Sequence, residues 1–166
     1  GRARAMLTWG WAGYYLGKPV LMTGMTTQRG LLKSIKDFLF RINYYNAFGL
    51  SEDEAEKLIL KYKNRKNVFL AGYASSLYLL ADVCVRKNIT GVRFDGAISY
   101  GDKLFPHYRD RIKTAFGCDV TDTYGLSEGL LIGVQKDLDY HYIMTPHIHL
   151  ELLDDGIANK TSSIFN

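Results

Sequence analysis

The sequence predicts an α/β fold with a mostly parallel sheet, flanked by helices and followed by a β-rich C-terminal stretch. Short apolar runs alternate with amphipathic helical patterns from about residue 18 to residue 123, which is typical of consecutive strand–helix units. After Gly129 the helical periodicity stops, and several strand-like runs follow one another with turns between them. A length of 166 residues fits one domain.

The first third of the chain predicts two helices and two strands. These are a helix over residues 2–15, a strand Val20–Thr23, a helix Leu31–Phe40 and a strand Ile42–Phe48. The clearest helix start comes next, where Ser51 and Glu54 form a capping box. Ala55, Leu58, Ile59 and Tyr62 then recur at helical spacing and predict one buried stripe.

The middle of the chain continues the alternation of strands and helices. We expect a strand Val68–Gly72, a helix capped by Tyr73–Ser76, a strand Val92–Tyr100 and a helix Leu104–Phe116. Gly117 stands at the position where a helix commonly ends in a left-handed residue. The C-terminal strands are expected at residues 131–135, 140–144 and 147–153, with a turn at 154–156.

The stretch Thr121–Gly129 is the candidate functional segment. It follows a predicted strand, Cys118–Thr121, and we expect a turn at this point because Gly125 and Gly129 tolerate unusual backbone angles. Tyr124, Ser127 and Glu128 offer an aromatic face, a hydroxyl and a carboxylate, which suit a base, a phosphate oxygen and Mg²⁺ respectively. In α/β proteins, ligands bind at the carboxyl ends of strands.

Tyr124-Gly125-Leu126-Ser127-Glu128 resembles the Tyr-Gly-x-Thr/Ser-Glu motif of the adenylate-forming enzymes. With Asp122 before it, the segment is most similar to the phenylacetate–CoA ligase branch, which includes CapK-type proteins of capsular polysaccharide loci. The resemblance implies a large domain of which residues 1–156 form the central part, with 157–166 as a polar tail and truncated continuation.

The resemblance implies a role for each residue of the motif. Tyr124 and Gly125 would flank the adenine, Asp122 would accept from its amino group, Ser127 would bind the α-phosphate, and Glu128 would ligate Mg²⁺. Ser127 and Glu128 would therefore be the catalytic residues. The turn Gly101-Asp102 matches the family's Gly-Glu turn before an Arg-bearing helix, here with Arg109 and Arg111, and would lie along the nucleotide. Asp102 replaces the usual glutamate, so a helix N-cap role for it stays equally open.

The implied function is an ATP-dependent ligase that activates a small carboxylic acid and transfers the acyl group to CoA or another acceptor. The family's phosphate loop, its Thr-Gly-Asp segment and its late lysine have no counterpart in these residues, so we expect a fragment that is inactive alone. The alternatives are a non-catalytic nucleotide-binding or scaffold domain, and a dinucleotide oxidoreductase. The oxidoreductase is disfavoured because no Gly-x-Gly-x-x-Gly follows the first strand.

Composition bounds the remaining possibilities. Net charge is +4, with the excess of basic residues in the first 66 positions; we interpret the basic run 61–66 as a solvated helix end rather than a nucleic-acid or lipid patch. Two cysteines and no apolar run near the length of a membrane span, about 18 residues, predict a cytoplasmic protein. Cys84 is expected in the core. His141, His147 and His149 leave a metal site open but lack a convincing third ligand.

Overall fold

The computed structural model describes residues 8–25, 35, 37–126, 131–137, 140–144, 152–154, 157–159 and 164–165. The strands are β1 Val20–Gly24, β2 Ile42–Asn46, β3 Phe69–Tyr73, β4 Ala97–Tyr100, β5 Val120–Gly125, β6 Leu131–Gln135, β7 His141–Ile143, β8 Leu152–Asp154, β9 Ile157–Asn159 and β10 Ile164–Phe165. The longer helices are α1 Glu52–Tyr62, α2 Ala74–Arg86 and α3 Pro106–Phe116. Residues 8–11 and 37–39 are also helical.

Eight strands form one sheet in the order β10-β7-β6-β5-β4-β3-β1-β2. The five neighbouring strands β2, β1, β3, β4 and β5 pair in parallel. β6, β7 and β10 continue the sheet with antiparallel pairings. β8 and β9 form a separate antiparallel pair. The predicted fold class is confirmed: the sheet is mostly parallel and a β-rich stretch follows β5, and the antiparallel pairing of that stretch was not predicted. β9 and β10 fall within the predicted polar tail.

The two faces of the sheet are covered by different parts of the chain. In-register residues of four neighbouring strands, Leu21, Leu70, Ala97 and Val120, belong to the cluster that includes the buried stripes of α1, α2 and α3. Their neighbours along each strand point the other way, because successive side chains alternate between faces. Phe69 on that second face packs against Trp9 and Tyr14 of the N-terminal segment.

The start of α1 agrees with the sequence prediction. The Ser51 hydroxyl accepts from the Glu54 amide at 3.3 Å, and a Glu54 carboxylate oxygen accepts from the Ser51 amide at 2.9 Å. The predicted stripe is buried: Ala55, Leu58, Ile59 and Tyr62. Cys84 is buried too, as expected for a core residue. Among the described residues, no helix combines the length and apolar character needed to cross a membrane.

The start of α2 does not agree with the prediction that residues 73–76 cap it. The N-cap residue is Tyr73, and its side chain makes no capping hydrogen bond. Asp102, 28 residues away from Ala74, supplies the cap instead. Its carboxylate accepts from the Ala74 amide at 2.5 Å and from the Ser75 amide at 3.0 Å. The cap therefore depends on tertiary structure.

Several other element boundaries differ from the sequence prediction, four of them by two residues or more within helices and strands before β5. The first helix ends at residue 11, before Gly13 with φ 91°, and β2 ends at Asn46 instead of residue 48. β4 begins at Ala97 instead of residue 92. α3 begins at Pro106 instead of residue 104, because proline has no amide hydrogen and a fixed φ that suit the first helical position.

Candidate functional site

A cleft of about 480 Å³ lies at the carboxyl ends of β4 and β5 and extends over β6 and β7. It is lined by Gly101, Asp102, Lys103, Asp122, Thr123, Tyr124, Gly125, Ile132, Gly133 and His141. Five of these are residues that the sequence predicted for nucleotide binding: Gly101, Asp102, Asp122, Tyr124 and Gly125. The structure brings the two predicted segments together across one cleft. Ser127 and Glu128 lie outside the described residues, as do His147 and His149.

The turn after β4 forms one wall of this cleft and requires glycine at position 101. Gly101 has φ 84°, a conformation that side chains disfavour, and an added Cβ would lie 2.3 Å from the Tyr73 ring. Asp102 follows directly, and both of its carboxylate oxygens accept from the first amides of α2. The carboxylate is therefore engaged by the protein, which agrees with the N-cap alternative, although the capped helix is α2 and not α3.

The opposite wall is the end of β5, and here the expectation of a turn at Tyr124 and Gly125 is wrong. Both residues are in the strand, because β6 pairs antiparallel with Thr123–Gly125 after the parallel pairing with β4 has ended at Asp122. A register shift follows between Tyr124 and Gly125. β5 thus projects beyond β4, and the Tyr124 side chain is 59% exposed. Its ring face is available for stacking.

A row of polar side chains crosses the sheet at the base of the cleft. Ser99 on β4 pairs with Asp122 on β5, and Gln135 on β6 pairs with His141 on β7. The Ser99 hydroxyl donates to Asp122 Oδ1 at 2.5 Å, and the Asp122 amide donates to Gln135 Oε1 at 3.1 Å. His141 Nε2 lies 3.4 Å from Asp122 Oδ2. Asp122 is thus held between neighbouring strands.

Arg109, on the helix that the resemblance singled out, supports this row from the α3 side. Its guanidinium donates to the Val120 carbonyl and, at 2.8 Å, to Gln135 Oε1. Burial lowers the pKa of Arg109, and the nearby Asp122 carboxylate opposes that shift. Arg111 points elsewhere, with its Nε 3.4 Å from a carboxylate oxygen of Asp82. Arg109 therefore connects α3 to β5 and β6 and does not line the cleft.

Sequence reasoning gave no nucleotide-binding role to the other five residues of the cleft: Lys103, Thr123, Ile132, Gly133 and His141. Gly133 carried a usable signal, because a glycine inside an otherwise apolar strand often marks a close approach. An added Cβ there would lie 3.2 Å from the Cβ of His141. His141 was considered only as a metal ligand, and its place beside Asp122 follows from the register of the three consecutive strands β5, β6 and β7.

The described side chains do not form a magnesium site. Within the described ranges, no group of three or more His, Cys, Asp or Glu residues is arranged to hold a metal ion. Of the two carboxylates of the cleft, Asp102 is engaged through both oxygens by the α2 amides, and Asp122 is engaged through one oxygen by Ser99. The predicted magnesium ligand, Glu128, lies outside the described residues.

A larger groove, about 760 Å³, lies at the opposite edge of the sheet. Arg41, Arg65 and Lys66 line it beside the amino ends of β1, β2 and β3. Open α/β sheets bind their ligands at the carboxyl ends of the strands. By volume alone this groove would be the better candidate for a ligand site. The smaller cleft is favoured because it lies at the carboxyl ends of the strands and contains five residues that the sequence predicted for nucleotide binding.

The fold resembles that of solved acyl-CoA ligases. A 2-hydroxyisobutyryl-CoA ligase in complex with 2-HIB-AMP and CoA matches 80% of this chain with 19% identity and a TM-score of 0.57. A malonyl-CoA ligase with methylmalonyl-CoA and AMP bound matches 81% with 21% identity and a TM-score of 0.50. MatB from Rhodopseudomonas palustris matches 80% with 16% identity and a TM-score of 0.50.

This chain has the fold of part of a CoA ligase. It spans 29%, 30% and 26% of the length of those three structures, respectively. No protein-family model and no curated protein matches the sequence. At sequence identities of 16–21%, the similarity to these ligases shows the fold alone.

Proposed function

We propose that this chain forms part of the nucleotide site of an ATP-dependent, carboxylate-activating ligase. The observation that carries the proposal is the meeting of the Gly101–Lys103 turn and the Asp122–Gly125 strand end across one cleft. Both segments resemble nucleotide-contacting motifs of the adenylate-forming enzymes, and the fold is that of CoA ligases whose structures contain AMP or an acyl-AMP.

The geometry supports a specific role for each described residue. The exposed Tyr124 ring can stack on a purine, and stacking on aromatic side chains favours flat bases. Asp122 presents a carboxylate held by Ser99, which can accept from an exocyclic amino group. Gly101 lets the turn lie close to the base. Asp102 contributes indirectly, because its carboxylate ties this turn to α2.

The proposed reaction is attack of a substrate carboxylate oxygen on the α-phosphorus of ATP, which expels pyrophosphate and leaves an acyl adenylate. The acyl group then passes to CoA or another acceptor. Such a reaction needs no protein nucleophile, so the chain's contribution is to hold the nucleotide in line with the acid. Ser127 as a phosphate contact and Glu128 as a magnesium ligand stay predictions from the motif, as does the CapK-like branch with its capsule role.

The test has two parts. This chain should bind AMP and ATP but release no pyrophosphate with any acid, since it spans less than a third of the matching ligases. A longer protein containing this sequence should show acid-dependent exchange of pyrophosphate into ATP, and Glu128→Ala should reduce that exchange by orders of magnitude. Turnover by the 166-residue chain would contradict its expected inactivity, unchanged exchange in the Glu128→Ala protein would contradict the role of Glu128, and no exchange in the longer protein would contradict the ligase assignment.

The second candidate is a nucleotide-binding domain without catalysis. The observation that favours it is the engagement of both described cleft carboxylates by the protein itself. Both candidates predict adenine nucleotide binding at this cleft. Acid-dependent pyrophosphate exchange in the longer protein separates them, because only the ligase supports it.

A further inference from the structure

His141 Nε2 is unusual among the described side chains. It is the one buried side-chain nitrogen or oxygen in the described residues that has no hydrogen-bond partner. Buried polar groups are nearly always paired, so an exception calls for an explanation. A carboxylate oxygen, Asp122 Oδ2, lies 3.4 Å from this nitrogen but without hydrogen-bond geometry.

The two oxygens of the Asp122 carboxylate differ in their hydrogen bonding. Oδ1 accepts from the Ser99 hydroxyl at 2.5 Å, whereas Oδ2 accepts no hydrogen bond from any side chain or amide in the described ranges. A carboxylate has about four acceptor directions, so most of its capacity is free. Since Asp122 lines the cleft and is 18% exposed, a ligand can reach that free capacity.

Gly133 explains how an imidazole from β7 comes beside a carboxylate on β5. β6 lies between these strands, and a side chain at position 133 would crowd the base of the His141 side chain. An added Cβ would be 3.2 Å from the Cβ of His141 and 3.7 Å from its Cδ2. The missing side chain therefore leaves room for the imidazole and also opens the floor of the cleft.

We propose that His141 is a positioning residue for base recognition: its Nε2–H holds Oδ2 of Asp122 from the β7 side while Ser99 holds Oδ1 from β4. The free acceptor directions of the carboxylate then face the cleft and select a base that carries an amino group. The hydrogen bond from His141 Nε2–H to Asp122 Oδ2 forms when a donor of the ligand draws the carboxylate toward the cleft. Hydrogen bonds in such a chain strengthen one another. This inference rests on the proposed nucleotide site.

The experiment compares the dissociation constants of AMP and IMP for the 166-residue chain, by NMR titration up to millimolar nucleotide. IMP has a carbonyl oxygen where AMP has the amino group, so the ratio of the two constants measures Asp122 recognition. His141→Phe keeps a ring but loses the donor, and His141→Gln keeps a donor. Tyr142→Phe is the matched control, because it removes the neighbouring polar group, which contacts Asp137 and does not line the cleft.

We expect the wild-type chain to prefer AMP, and His141→Phe to reduce the AMP/IMP preference by about fivefold, a value in the lower part of the range for coupled neighbouring side chains. His141→Gln should retain more of the preference, and Tyr142→Phe all of it. In an Asp122→Ala background, His141→Phe should not change the ratio further. A purely structural role would weaken AMP and IMP alike and leave the ratio unchanged.

The outcomes separate the inference from the proposed function. A wild-type preference for AMP that persists in His141→Phe overturns the role of His141 and leaves the nucleotide site intact. Equal binding of AMP and IMP by the wild type overturns recognition through Asp122 and with it this inference. No binding of either nucleotide overturns both proposals. If His141→Phe does not fold, His141→Leu takes its place because leucine also lacks a donor: a reduced AMP/IMP preference supports the inference, and an unchanged preference overturns it.

Discussion

Replacing Asp102 tests how the wall of the cleft is held. In the structure its two oxygens accept from the Ala74 and Ser75 amides at 2.5 and 3.0 Å, and the N-cap residue Tyr73 makes no capping hydrogen bond with its side chain. Loss of a cap costs about 1 kcal/mol. The negative charge at a helix N-terminus adds about 0.5 kcal/mol, and the second charge-assisted bond brings the total for Asp102→Ala to about 2 kcal/mol.

Asp102→Asn separates geometry from charge. The amide keeps one acceptor oxygen but loses the charge and the second acceptor, so the expected loss is about half that of Asp102→Ala, or about 1 kcal/mol. The measurement is urea unfolding followed by far-UV circular dichroism, with an unchanged dependence on urea concentration showing that the unfolded state is the same. For a chain of this size, 2 kcal/mol corresponds to a fall in Tm of about 4–8 °C.

Asp110→Ala is the matched control, since Asp110 is exposed on α3 and its carboxylate makes no hydrogen bond within the described residues. Exposed substitutions of this kind usually change stability by less than about 0.5 kcal/mol. The reasoning fails if Asp102→Ala is as stable as Asp110→Ala, because the two bonds to α2 would then contribute nothing.

Three further changes test other parts of the structure. Gly133→Val fills the floor of the cleft and should weaken AMP binding by about tenfold or more, a steric effect, with the circular dichroism spectrum retained; unchanged affinity would place the nucleotide elsewhere. Ser51→Ala removes half of the capping box and should cost about 1 kcal/mol in urea unfolding, a loss that Ser51→Asp should largely avoid. Burial raises the pKa of Cys118 to about 12, so the unfolded thiol ionises first and stability should fall as pH rises from about 9 toward 12; Cys118→Ala should show a shallower fall, and an identical slope would contradict the burial argument.

Local signals in the sequence predicted local structure well. The capping box and buried stripe of α1 and the left-handed Gly117 after α3 depend on residues within one or two helical turns of each other. The alternation of strands and helices also predicted the fold class, because buried parallel strands have a recognisable apolar pattern. The sequence placed Tyr124 and Gly125 at the carboxyl end of a strand, and both lie at the end of β5.

Features that depend on how separate helices and strands pack or pair with one another could not be predicted. The cap of α2 comes from Asp102, and no pattern near residue 74 points to it. β5 runs on through Gly125 because β6 pairs with it, an interaction that the glycine at 125 argued against. His141 meets Asp122 only because the register of three neighbouring strands places them in one row.

The central claim is that the cleft between the Gly101 turn and the end of β5 binds an adenine nucleotide. The most direct test is to map AMP onto the amide resonances of the ¹⁵N-labelled chain. We expect the largest chemical-shift changes at the amides of residues 101–103, 122–125 and 133. Shifts concentrated at Arg41, Arg65 and Lys66, beside the larger groove, would contradict it, and so would a spectrum unchanged by millimolar AMP.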